Sequence, residues 1–161
     1  MSGERGSFAY RHAVLALNGD VTDPLVIRTG VELARGHATR LTALHVIEAT
    51  WRYGLDEEIP GSHAAASTIL DIAEGAADRA DVRLDTQLLQ AREVGAALVD
   101  EAVALDADVI VLGLPYRKRR GGDFALGRTI PYVFQNAPMT VLVVREPVPA
   151  SGEVPVPERK G

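Results

Sequence analysis

The stretch "GLPYRKRRGGDFALGRT", residues 113–129, gathers most of the chemistry this sequence offers. Four consecutive cations at 117–120 precede a glycine pair, and Gly127, Arg128 and Thr129 then open what reads as a helix. A helix start presents unpaired backbone N–H groups and the positive end of its dipole, which together favour an anion. Thr129 adds a hydroxyl, and the basic run, Arg119 included, raises the local positive potential. Phosphate is the group such a loop suits. The same features have a plainer reading: Gly113, Gly121, Gly122 and Gly127 serve a strand-to-helix connection that needs positive φ, and a basic run is also what a solvated turn looks like.

Other candidates carry less. Asn18 ends an apolar run, where it is either a ligand contact or an Asx-type turn residue on Gly19 and Asp20. His12, His37, His45 and His63 show no His-x-x-x-His or His/carboxylate spacing, so no metal site is expected, and His45 reads as a packed or hydrogen-bonded strand residue. Ser62, His63 and Asp71 lack the context of a nucleophile elbow. Beside the basic loop there is neither a P-loop Lys-Ser/Thr pair nor a carboxylate pair, so binding rather than turnover is expected and the protein is not read as an enzyme. Trp51, Tyr53 and Leu55 share an irregular stretch, where they either cover a base or pack on a sheet edge or a dimer partner.

These residues need elements to position them. "AVLALN" (13–18), "DVIVLG" (108–113) and "TVLVVRE" (140–146) are nearly continuous apolar runs that suit strands buried on both faces. "RLTALHVIEA" (40–49) and "VRLDTQLLQA" (82–91) alternate as strands. Helical periodicity predicts helices over 24–35, with Asp23 as N-cap and Gly36 as stop, over 62–79, with Ser62 as cap, and over 92–106. A fourth follows Gly127, where Pro131 is tolerable only in the first turn. Strict strand-helix alternation implies an α/β fold: a doubly wound, five-stranded parallel sheet with helices on both faces and the expected strand order 3-2-1-4-5. Ligands on such a sheet bind outside the carboxyl ends of the strands where the order reverses, here between the first and fourth strands. Those strands end at "LNGD" and "LGLP".

Composition limits what the domain can meet. A chain of 161 residues, 47% hydrophobic, fits one domain over 11–146, after a flexible segment 1–10 and before a Pro-rich tail 147–161 expected to be disordered. A net charge of −5 argues against generic binding to nucleic acid or anionic membranes. There is no cysteine, no apolar leader, and no window of the roughly 18 apolar residues that span a membrane. A cytoplasmic setting without membrane insertion is the expectation.

From about Arg11 to Arg145 the chain resembles the universal stress protein family. The resemblance rests on "AVLALNGD", on "DVIVLG", on the loop ending in "LGRT", and on "PYVFQNAPMTVLVVRE". Nucleotide-binding members carry G-x-x-G, nine residues, then G-S or G-T. Here Gly113 matches the first glycine, Tyr116 stands at the second, the interval to Gly127 is one residue longer, and Arg128 displaces Thr129 by one. Asn18 stands where binding members usually have Asp. What the resemblance implies is an adenine nucleotide, AMP, ATP or a cyclic dinucleotide, lying over strands one and four, with Mg only beside a triphosphate. It would meet Ala16, Leu17, Asn18 and Gly19 at the first strand, and Val46 at the base. Leu112, Gly113, Pro115, Tyr116 and Arg119 would line the loop, with phosphate at Gly127, Arg128 and Thr129. Tyr116 would stand in the usual triphosphate path. The resemblance further implies a homodimer through Thr140 to Arg145. The alternative is a dimeric interaction protein that binds protein partners and no ligand, related to domains attached to transporters.

Overall fold

Uninterrupted apolar runs can be buried on both faces only at the centre of a sheet, and β1 (His12–Leu17) and β4 (Val109–Leu114) take that place with every residue buried. The computed structural model describes residues 9–116 and 127–147; the basic run 117–120 with Arg119, the glycine pair 121–122, the leading residues and most of the Pro-rich tail lie outside the described residues. β2 (Arg40–Glu48), β3 (Leu84–Ala91) and β5 (Thr140–Arg145) complete a parallel sheet of order β3-β2-β1-β4-β5. The edge strands β3 and β5 are half-buried, as strands with one neighbour must be. The helices are α1 (Asp23–Ala34), α2 (Ser62–Arg79), α3 (Val94–Ala104) and α4 (Thr129–Asn136).

The two-residue period of the strands divides the core. Ala13, Leu15 and Leu17 face α1 and α2 with Val26, Ile27, Leu70 and Ala73, whereas Val14 and Ala16 face α3 and α4 with Leu98, Val99, Ile130 and Val133. Both faces of the sheet are therefore covered. Among the described residues no helix is long and apolar enough to cross a membrane.

Two caps differ from expectation. Thr22, not Asp23, occupies the N-cap of α1, and no side chain caps that helix; Asp23 is its first residue and turns back to the loop. Gly61, with φ of 77°, occupies the N-cap of α2, because the Ser62 hydroxyl donates to the Ile59 carbonyl 2.6 Å away. Gly36 ends α1 as expected, with φ of 73°. Pro131 falls in the first turn of α4. β3 starts at Leu84 rather than Val82, since the Val82 N–H donates to the Ala77 carbonyl at the end of α2.

The start of β1 is tied down by side chains. Asp108 accepts the N–H groups of Arg11 at 2.9 Å and His12 at 3.0 Å. Buried His12 donates through Nδ1 to the Leu105 carbonyl at 3.0 Å and pairs through Nε2 with the Thr42 hydroxyl at 2.7 Å. The Thr39 hydroxyl donates to the Tyr10 carbonyl at 2.6 Å.

The loop carrying Trp51 is strapped to the end of β3. Gln90 Nε2 donates to the carbonyls of Gly54 at 3.2 Å and Glu57 at 2.8 Å. Arg92 donates to the carbonyls of Thr50 at 2.9 Å and Tyr53 at 3.0 Å, and its guanidinium lies 4.3 Å from the Trp51 ring centre. These bonds hold the loop's backbone to the sheet edge, while the Trp51 indole is 87% exposed and Leu55 is exposed as well.

Candidate functional site

A cleft of about 640 Å³ opens at the carboxyl ends of β1, β2 and β4, where the strand order reverses. Asn18, His45, Val46, Leu112, Gly113 and Pro115 reach it from the strand ends, and Gly127, Arg128 and Thr129 from the start of α4. Asp20 and Glu48 supply its acidic groups among the described residues.

The β1–α1 turn is held open by one carboxylate. Asp23 accepts the N–H of Asn18 at 2.9 Å and of Gly19 at 2.7 Å. Burial raises the Asp23 carboxyl above its ordinary value and neighbouring Asp20 adds to this, while the two N–H groups and His45 act against it. Asp20 in turn accepts the Thr22 N–H at 2.8 Å and the Thr22 hydroxyl. The Asx turn of this loop thus belongs to Asp20. Asn18 is exposed, and its side-chain amide makes no hydrogen bond among the described residues.

His45 is paired across the sheet with Leu17, one residue from Asn18. Its Nδ1 donates to the Leu17 carbonyl at 2.7 Å, and its Nε2 has no partner among the described residues. The sequence pattern had placed His45 only as a strand residue. Its register beside Asn18 was the signal that it belongs to the cleft.

Two glycines serve this end of the sheet for different reasons. Gly113 lacks the positive φ proposed for it; a Cβ there would collide with the buried Thr22 side chain and crowd Val26, so its role is to let α1 lie against β4. Gly127 has φ of 68° and open space around it, so it is glycine for backbone reasons alone. It leads into α4, whose first N–H groups and Thr129 hydroxyl face the cleft without protein partners among the described residues. Such a terminus attracts an anion, while Val46 and Leu112, themselves largely buried, form apolar parts of the cleft's lining.

The remaining predicted residues lie elsewhere. Ala16 and Leu17 are buried in the sheet, and the Gly19 amide is taken by Asp23. Tyr116 does not line the cleft; its N–H donates to Glu146 at 3.4 Å and its ring lies 5.6 Å from the Arg145 guanidinium, toward the end of β5. Sequence reasoning also missed Glu48, whose carboxylate lies 3.3 Å from Arg128 across the cleft. Eighty positions separate the two. No local pattern announces such a pair.

The chain matches the family described as "Universal stress protein family" over residues 9–145. A search of curated proteins gave no match. Among solved structures, a universal stress protein from Archaeoglobus fulgidus superposes with a TM-score of 0.68 at 23% identity, covering 83% of this chain and 98% of that one. A universal stress protein from the same organism, in complex with dAMP, gives a TM-score of 0.63 at 20% identity over 84% of this chain and 98% of that chain. An Arabidopsis thaliana family protein with AMP bound gives 0.61 at 11% identity over 88% and 97%. The likeness to these structures is one of fold.

Proposed function

Since the chain belongs to the universal stress protein family, we infer that it is a non-catalytic module that binds an adenine nucleotide in the cleft between β1 and β4. One observation carries this reading: the open start of α4, at Gly127 and Thr129, faces the same cleft as the unpaired polar atoms of Asn18 and His45. Phosphate lies at Gly127, Arg128 and Thr129. Val46 and Leu112 take the base, and Asn18 and His45 Nε2 bond the sugar or base edge. The dAMP and AMP bound by the two structural neighbours support this class of ligand. Magnesium enters only with a triphosphate. The protein acts in the cytoplasm as a homodimer through β5, whose outer edge has no neighbouring strand among the described residues.

Isothermal titration of ligand-stripped protein with AMP, ATP and cyclic di-AMP tests the site, repeated on Gly127→Glu. Saturable binding lost on substitution supports it, and no binding by any of the three removes it. A monomer by sedimentation at micromolar concentration removes the dimer.

A further inference from the structure

The cation best placed to meet a phosphate is already engaged. Arg128 stands at the N-cap of α4, and its guanidinium reaches 3.3 Å to Glu48 at the end of β2. Both residues line the large cleft, and both also line an adjoining hollow of about 130 Å³ together with Glu93. Asp20 adds a further acidic group to the cleft wall. Arg128 is therefore the one arginine or lysine among the described lining residues, paired with Glu48, with Glu93 and Asp20 elsewhere in the walls of the two hollows.

An anion that reaches Arg128 shares its guanidinium with Glu48 and sits close to that carboxylate. The cost of that proximity rises with each phosphate added to the ligand, because Coulomb repulsion scales with charge. Nothing comparable opposes an uncharged nucleoside. Building on the nucleotide reading, we propose that Glu48 is a specificity-determining residue, holding Arg128 across the cleft and turning it toward nucleosides and monophosphates and away from polyphosphate chains.

The test is titration of adenosine, AMP and ATP against wild type, Glu48→Gln and Arg128→Gln, at low salt and at 0.5 M salt. The Glu48 side chain is half exposed, so its amide replacement leaves packing intact. Glu48→Gln is expected to tighten ATP by about fivefold, AMP by less, and adenosine by under about twofold, the scale of exposed charge pairs. Arg128→Gln should weaken ATP more than adenosine. Both effects should shrink at high salt. An AMP-to-ATP affinity ratio that Glu48→Gln leaves unchanged, with binding intact, overturns the role of Glu48 and spares the nucleotide site. No binding of any nucleotide by wild type overturns both.

Discussion

At each end of β1 an aspartate collects two consecutive backbone N–H groups: Asp108 those of Arg11 and His12, Asp23 those of Asn18 and Gly19. The neighbours of the two differ. Around Asp108, His12 uses both ring nitrogens and Thr39 ties down Tyr10, so the chain closes this end with its own groups. Around Asp23, His45 uses one ring nitrogen and the side chains of Asn18 and Thr129 use none among the described residues. The same tie is a finished joint at one end and the frame of an opening at the other. What distinguishes a site from a seam here is the polar atoms left over once the backbone is satisfied.

The largest expected effect concerns the packing beneath the opening. Gly113→Val should cost about 3 kcal/mol in urea unfolding, the upper range for overpacking, because the new side chain collides with Thr22 and Val26. A cost under about 1 kcal/mol would show that α1 can shift away from β4. Asp23→Ala comes next, at about 2 kcal/mol, since it removes the acceptor of two backbone donors in a part-buried turn. Asp108→Ala should cost about 1.5 kcal/mol, water replacing part of what is lost.

The pH dependence sharpens the contrast between the two carboxylates. Burial raises the Asp23 carboxyl above 3.8, so the stability it contributes is fully present below that pH and is lost as pH rises through its folded value. Burial also acts to raise Asp108, but the N–H groups of Arg11, His12 and Asp108 itself, with the Arg11 charge, outweigh it and hold the carboxyl below 3.8. Its contribution is present above 3.8 and lost as pH falls through the lower folded value. The deficit of Asp23→Ala should therefore shrink as pH rises from 3.8, and that of Asp108→Ala should shrink as pH falls from 3.8. Unfolding curves across this range that move in the same direction would break the comparison. The smallest effect is Gly127→Ala, about 1 kcal/mol, from left-handed backbone in open space. Its thermal unfolding should move much less than that of Gly113→Val.

The parallel sheet was legible because burial on both faces and strict alternation imply one, the observed order is the doubly wound one expected, and α2 spans the residues its periodicity predicted. Gly127 and the ends of β1 and β4 were legible as the place of a site for the same reason. What stayed hidden depends on contacts between distant positions. A capping pattern cannot tell whether an aspartate bonds its own helix or the loop before it, as Asp23 does. Gly113 shows no sign in the sequence that Thr22 presses on it. His45 and Glu48 acquire their places only when β2 lies beside β1 and α4 closes over its end.

The strapped loop has a consequence for how this protein can be watched. The chain holds a single tryptophan, and it sits almost entirely in water above Arg92. An indole so exposed is expected to emit much as in an unfolded chain, so a fluorescence melt should under-report the loss of the sheet, which circular dichroism would follow. What the indole does register is its guanidinium neighbour. A change in its intensity is a signal from the far end of β3, a built-in optical label on the loop that leaves the end of β2.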